Sequence, residues 1–197
     1  MGRIFYIMGK SASGKDKIYG KLSEEPELKL QNLVLYTTRP IRHNEEDGKQ
    51  YFFVQEEKLN ELRKRNKIIE ERSYDTIHGI WTYFTADDGQ VHLKDENYLG
   101  IGTLESYHKL REYYGAEFLC PIYVEVEDGI RLERALKREQ KQAEPKYAEM
   151  CRRFLADCED FSDEKIAQEG IVKRFLNNGE LDVCLEEIRT YISENLR

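Results

Sequence analysis

Short apolar runs alternate along the chain with longer charged stretches. Residues 3–8 (RIFYIM) form a compact aromatic and aliphatic run ended by Gly9, the pattern of a parallel strand buried on both faces. Residues 15–23 follow with Ile18 and Leu22 four apart, one apolar stripe on a polar helix that Pro26 closes. Residues 33–36 (LVLY) are a second strand candidate. The texture then changes: 37–49 is polar, with Pro40 and the turn pair Asp47-Gly48, before a predicted strand over 51–54 and a helix over 56–65. From 68 to 85 the aromatics Trp81, Tyr83 and Phe84 crowd behind Gly79, which predicts short antiparallel strands in a small inserted subdomain. Alternation resumes with a strand over 98–101, a helix over 104–114, a strand over 118–126 and a charged helix over 129–142. Pro145 interrupts, and a helix over 146–161, a strand over 171–176 and a helix over 181–196 complete the order. Strands alternating with helices predict an α/β fold, a mostly parallel sheet flanked by helices, in a single domain over 1–197 with its core in 1–36 and 86–197.

Composition narrows the class. In 197 residues, 40% are hydrophobic, and 13 Tyr with 8 Phe supply aromatic bulk that a disordered chain lacks. The balance of 38 acids against 31 Lys and Arg, a net charge of -7, argues against a binder of nucleic acid polymers or anionic membranes, which needs surplus cations. No apolar run approaches the ~18 residues of a membrane helix, and residues 4–8 are too short for a signal-peptide core, so a cytoplasmic protein is expected. Cys120, Cys151, Cys158 and Cys184 include no CxxC pair and read as reduced, packed thiols.

The first chemistry lies between the opening strand and helix. Gly9-Lys10-Ser11-Ala12-Ser13-Gly14-Lys15 fits GxxxxGK, the phosphate loop. Glycines let backbone N–H groups converge on phosphate oxygens, the helix N-terminus adds positive potential, and the lysine reaches the terminal phosphates. The eighth position, normally a magnesium-binding Ser or Thr, is Asp16. Its carboxylate could hold Mg²⁺ or could simply stabilise the first turn of the helix, and both readings stay open.

The second chemistry is Thr37-Thr38-Arg39-Pro40-Ile41-Arg42, followed by Glu45, Asp47-Gly48 and Tyr51-Phe52-Phe53-Val54. Two arginines three apart, a tyrosine hydroxyl and an orienting acid make a receptor for a phosphate dianion, although on composition alone a solvated loop with ion pairs is the better reading.

Taken together, the phosphate loop and the TTRxxRxxExDGxxYxFV segment resemble guanylate kinase. The resemblance implies a P-loop core, a GMP-binding insertion over about 37–85 and a helical lid over about 134–160. It implies Mg²⁺-dependent transfer of the γ-phosphoryl of ATP to GMP or dGMP, giving ADP and GDP. Carried over residue by residue, it implies catalytic roles for Lys15, Arg39, Arg138 and Arg153. ATP contacts would come from Gly9, Lys10, Ser11, Ala12, Ser13, Gly14, Lys15, Asp16, Arg134 and Asn177, with Asp16 also on the metal. GMP contacts would come from Arg39, Arg42, Glu45, Tyr51, Glu70 and His78, with Glu70 accepting from the guanine N1–H and N2–H₂ donors. Small-molecule nucleotides are the expected partners, with no nucleic acid polymer and no membrane, in a monomer or homodimer.

Several positions depart from the family pattern. Leu35 or Tyr36 stands where a serine helps read the base, and His78-Gly79-Ile80 replaces tyrosine-glycine-serine. The strand that usually ends in two aspartates reads Leu99-Gly100-Ile101-Gly102. One expectation joins this loss to Asp16: the metal-organising carboxylate has moved to the phosphate loop, and the glycines leave room for it. The departures keep two alternatives in view, a catalytically degenerate module that binds a nucleotide or phosphorylated partner, and a kinase for another nucleoside monophosphate.

Overall fold

The computed structural model describes residues 1–76 and 79–196. Five strands build a wholly parallel sheet: β1 (Ile4–Met8), β2 (Leu30–Asn32), β7 (Asn97–Gly102), β8 (Leu119–Glu125) and β9 (Arg174–Leu176), in the order β2-β7-β1-β8-β9. Every residue of β1 is buried, because side chains alternate between two covered faces. Ile4, Tyr6 and Met8 pack with Leu104, Tyr107 and Leu110 of α3 (Leu104–Tyr114) and with Ile166 of α6 (Asp163–Gln168). Phe5 and Ile7 pack with Ile18 and Leu22 of α1 (Lys15–Ser23) and with Leu185, Ile188 and Ile192 of α7 (Leu181–Asn195). Truncating one of these buried aliphatic chains to alanine costs about 2–5 kcal/mol.

A second sheet, order β4-β3-β6-β5, comprises β3 (Leu35–Thr37), β4 (Tyr51–Phe53), β5 (Ile68–Thr76) and β6 (Gly79–Ala86). β4 runs parallel to β3, and the remaining pairs are antiparallel. Tyr36, Phe52 and Phe84 pack on Leu59 and Leu62 of α2 (Glu56–Lys64). The register Thr37↔Tyr83↔Arg72 turns those three side chains to the opposite face. α4 (Asp128–Glu139) and α5 (Tyr147–Asp160) complete the order, and α5 buries no residue fully.

The observed elements differ from the pattern-based ones in informative places. The run predicted as one strand over 33–36 is shifted to Leu35–Thr37 and leaves the parallel sheet for the second one, while Leu30–Asn32 takes the edge beside β7. Nothing in Leu30-Gln31-Asn32 has strand propensity; pairing with β7 makes it a strand. α6 is absent from the pattern, since six residues make less than two turns and show no repeated stripe. Its start is marked by Ser162, whose hydroxyl accepts from the Lys165 N–H.

Candidate active site

β1 ends at Met8 and α1 starts at Lys15, so residues 9–14 lie at the carboxyl edge of the parallel sheet, where open α/β sheets bind ligands. The backbone is left-handed at Ala12 (φ 64°) and Gly14 (φ 89°), a conformation that gathers N–H groups into an anion-binding concavity. Gly14 is also required by space, because a Cβ there would lie 2.6 Å from Asn177 Nδ2. Asn177 is buried behind the loop and donates from Nδ2 to the Ser13 carbonyl at 2.7 Å. Ser13 Oγ and Asn177 Oδ1 have no partner among the described residues.

Lys15 and Asp16 occupy the first turn of α1, with Nζ 3.6 Å from Oδ2; the Asp16 side chain is 84% exposed. On the other side of the loop, Lys10 Nζ lies 3.3 Å from Asp128 Oδ1, and the Ser11 N–H donates to Asp157 Oδ2 at 2.8 Å. Asp157 also accepts from Arg131 Nη1 at 3.2 Å. Arg131 is fully buried, bonded to Asp128 and stacked 3.9 Å from the Phe154 ring centroid. The sequence reading missed this tie of α4 and α5 to the phosphate loop. Its only local signal is that Arg131 shares a stripe with Ala135, four residues on, the two buried positions of α4.

The arginines assigned to the lid sit differently. Arg134 is half-buried, Arg138 is exposed in the last turn of α4, and Arg153 donates from Nε to Glu149 of its own helix at 2.8 Å. Among the described residues, none of the three bonds to the phosphate loop.

The second sheet supplies the facing wall. Arg39, just past β3, is buried and held in a fork: Nη1 donates to Glu45 Oε2 at 2.7 Å and to the Pro40 carbonyl at 3.0 Å, and Nη2 donates to Glu45 Oε1 at 2.5 Å. Its guanidinium lies over Tyr51 and Phe53, at 5.3 and 5.2 Å from the ring centroids. The bonds from Glu45 raise the Arg39 pKa, and the same bonds hold the Glu45 carboxyl below its ordinary value. Arg39 Nε is buried without a partner among the described residues. Arg42 is exposed, its N–H donates to Glu45 Oε2 at 2.9 Å, and its side chain lines an open groove with Thr38, Pro40, Ile41, Ile80 and Trp81.

Burial, then the neighbouring Tyr83, raises the Tyr51 hydroxyl, Arg39 and Arg72 oppose, and the field of Asp16 adds to the rise. Burial and then Tyr51 push Tyr19, one turn beyond Lys15, up to about 12.

Glu70 is almost fully buried on β5. Thr85 Oγ1 donates to its Oε1 at 2.8 Å, Arg72 Nε to its Oε2 at 2.9 Å and Arg72 Nη2 to its Oε1 at 3.4 Å. Arg72 Nη1 donates to Thr103 Oγ1 at 3.0 Å. Arg72, Tyr83 and Tyr19 are further residues the sequence reading missed. Two-residue alternation from Glu70 would have put Arg72 on the same face. His78 lies outside the described residues.

The room expected beside Gly100 and Gly102 is already taken. A Cβ on Gly100 would lie 2.7 Å from Tyr6 Cδ2, and one on Gly102 would lie 2.0 Å from Tyr6 Oη and 2.6 Å from Ser106 Oγ. The two glycines therefore accommodate the Tyr6 ring, whose hydroxyl is bonded to Ser106 at 2.8 Å.

Comparison with known proteins identifies similar chains and a similar fold. A family model described as guanylate kinase matches residues 1–194. The guanylate kinase of Mycoplasma mobile is 27% identical, with 99% of this chain and 94% of that protein aligned. The guanylate kinase of Wolbachia pipientis is 26% identical over 98% of this chain and 90% of its own. In fold, the crystal structure of guanylate kinase from Anaplasma phagocytophilum superposes with a TM-score of 0.64 at 20% identity, covering 100% of this chain and 87% of that one.

Proposed function

The chain belongs to the guanylate kinase family, and from that membership we propose that it phosphorylates GMP with ATP in the cleft between the phosphate loop and the second sheet. The observations that support the reading are a phosphate-loop backbone left-handed at Ala12 and Gly14 and a buried Arg39 forked on Glu45, within a chain the family model matches over residues 1–194.

The reaction asks little covalent chemistry of the protein. An oxygen of the GMP phosphate attacks the γ-phosphorus of ATP, the bond to the ADP oxygen breaks, and no base is needed because the acceptor is already an anion. In this reading residues 9–14 and Lys15 hold the ATP phosphates, while Arg39, Arg42 and Tyr51 hold the acceptor phosphate. Glu45 orients Arg39, so the guanidinium meets the substrate already placed. Tyr83 sits beside Tyr51, with ring centroids 5.5 Å apart, and joins the same wall. Arg134, Arg138 and Arg153 balance the charge of the transferring group when α4 and α5 close, which also excludes water. Asn177 acts from behind, through the Ser13 carbonyl.

Magnesium fits the donor set. No cluster of three or more His, Cys, Asp or Glu able to hold a metal exists among the described residues, but Mg²⁺ ordinarily takes one or two carboxylates and completes its shell with phosphates and water. Asp16, exposed in the first turn of α1, would be that carboxylate, and the ion would neutralise charge on the phosphates. The nucleotides are the partners proposed, in the cytoplasm, by a monomer or homodimer. No helix among the described residues is long and apolar enough to cross a membrane.

A coupled assay of ADP formation with ATP and Mg²⁺ tests the reading against GMP, dGMP, AMP, UMP and CMP. Turnover with GMP and dGMP supports it. No turnover with any acceptor leaves a binding module, and preference for a pyrimidine acceptor removes the guanylate assignment.

A further inference from the structure

The tie between α5 and the phosphate loop engages a backbone N–H of the loop itself. The Ser13 N–H donates to the Lys10 carbonyl at 3.2 Å, closing a turn with Ser11 and the left-handed Ala12 at its corners. That turn leaves the Ser11 N–H over, and Asp157 Oδ2 accepts from it at 2.8 Å. To a backbone N–H, a carboxylate oxygen and a phosphate oxygen are the same kind of acceptor, charged and close. The N–H carries one hydrogen, so the two compete for it.

Charge sharpens the competition. Lys10, Arg131, Asp128 and Asp157 form one cluster, with Lys10 3.3 Å from Asp128 and Arg131 at 2.9 Å from Asp128 and 3.2 Å from Asp157. A phosphate that replaced Asp157 would keep an anionic partner for these cations, whereas one arriving beside it would face two carboxylates. The attachment of α5 is also of a kind that can be exchanged. α5 buries no residue fully, and its Phe154, Asp157 and Cys158 all meet one side chain, Arg131, at 3.9 Å to the ring centroid and 3.2 and 3.4 Å for the two polar contacts. Directly past the last turn, Phe161 is buried and stacked on Tyr123 with ring centroids 5.7 Å apart, which leaves that end as the fixed one. Polar attachment with few buried apolar contacts marks an element that opens at a lower free energy than the fold as a whole.

We propose that Asp157 is a latch: its carboxylate occupies a phosphate position on the Ser11 N–H and holds α5 against the loop, and the triphosphate of ATP displaces it and frees α5 about Phe161. Docking of α5 and binding of ATP then exclude each other, and each weakens the other by the same factor. The apparent ATP affinity is the intrinsic one multiplied by the fraction of molecules with the latch open. The helix that is freed carries Arg153, so displacement of Asp157 precedes the closure that brings this arginine to the transferring group.

The inference rests on the ATP site of the proposed function, and direct binding keeps the two apart. Calorimetry gives Kd for a non-hydrolysable ATP analogue with Mg²⁺ on the native protein, Asp157→Asn and Glu159→Gln. Asp157→Asn keeps the size of the side chain and loses its charge, so binding should tighten by about tenfold, the difference between a charged and a neutral hydrogen bond. Glu159→Gln removes the same charge from an exposed position of α5 and should leave Kd within about twofold, as for a screened surface charge. Cys158 reads the movement, because its thiol lies against Arg131 beside Asp157. Its labelling by a thiol reagent, followed by peptide mass spectrometry, should speed up when the analogue saturates the native protein, and should already be faster in Asp157→Asn alone. The native labelling needs no variant and decides if Asp157→Asn does not fold. An unchanged or weaker Kd in Asp157→Asn overturns the latch and makes Asp157 a residue that shapes the loop. An equal gain in Glu159→Gln overturns it in favour of net charge, and an unchanged or slower native Cys158 rate overturns the release of α5. If neither the native protein nor Asp157→Asn binds the analogue, the ATP site and the latch fall together. Binding without turnover of any acceptor removes the kinase alone, and the same Kd and labelling comparisons still decide the latch.

Discussion

Replacing Glu45 with alanine tests how the arginine wall is built. Glu45 takes both terminal nitrogens of Arg39, at 2.7 and 2.5 Å, and the Arg39 side chain is 3% exposed against 16% for Glu45. The variant leaves a buried guanidinium that keeps the Pro40 carbonyl and the Tyr83 hydroxyl beside it but has lost its charged partner. Removing one partner of a buried pair costs about 3–5 kcal/mol, and the partial exposure of Glu45 favours the lower end, about 3 kcal/mol. For a chain of this size each kcal/mol moves Tm by about 2–4 °C, so Tm should fall by about 6–12 °C, with KM for GMP rising as Arg39 loses its orientation. Arg39→Met in the same chain should recover part of the stability, since it removes the uncompensated charge, but not the affinity. The pH dependence follows from the depressed Glu45 carboxyl. A group with a lowered folded pKa stabilises above its unfolded value and loses that contribution as pH falls through the folded one, so the loss begins below about pH 4. Scanning calorimetry of the four chains between about pH 3 and 7 is the assay. A fall in Tm of less than about 2 °C for Glu45→Ala at neutral pH, or a double variant no more stable than the sum of the singles, would refute the reasoning.

Other residues give further tests. Asp16→Ala should raise the Mg²⁺ concentration needed for half-maximal turnover while KM for GMP changes little; unaltered Mg²⁺ dependence removes Asp16 from the metal. Gly102→Ala puts a Cβ 2.0 Å from Tyr6 Oη and should cost at least the about 1–3 kcal/mol of overpacking, partly relieved by Tyr6→Phe, as urea unfolding of the three chains would read. Asp157→Ala strands the Ser11 N–H and one Arg131 N–H, for about 1–3 kcal/mol of stability, yet removes a carboxylate from the phosphate loop. Its Tm should fall while its KM for ATP also falls; an increased KM would mean that Asp157 shapes the loop for ATP rather than competing with it.

Much of the architecture was legible in the chain. The buried run before Gly9, the glycine loop and the helix stripe of Ile18 and Leu22 are local patterns, and local patterns survive folding because neighbours in sequence remain neighbours in space. The role expected of Arg39, Glu45 and Tyr51 came from resemblance to a family motif; what the structure adds is that their contacts close over short spans. Leu35–Thr37 was misplaced because an apolar strand carries no mark of which sheet it will join. Arg72 was overlooked because its partner Thr103 lies 31 residues away.

By itself the sequence determined an α/β chain with a phosphate-loop motif, an arginine-bearing segment and the losses at Gly100 and Gly102. The tertiary structure decided what those losses mean. Tyr6 reaches Ser106 across 100 residues and fills the space beside the glycines, and Asp157 reaches the Ser11 amide across 146. Periodicity reports the face a residue shares with its own element, whereas these contacts depend on which elements the parallel sheet sets side by side. For that reason the Glu70–Arg72 pair, two residues apart on one strand, acquired its bond to Thr103 only when β5 met the end of β7.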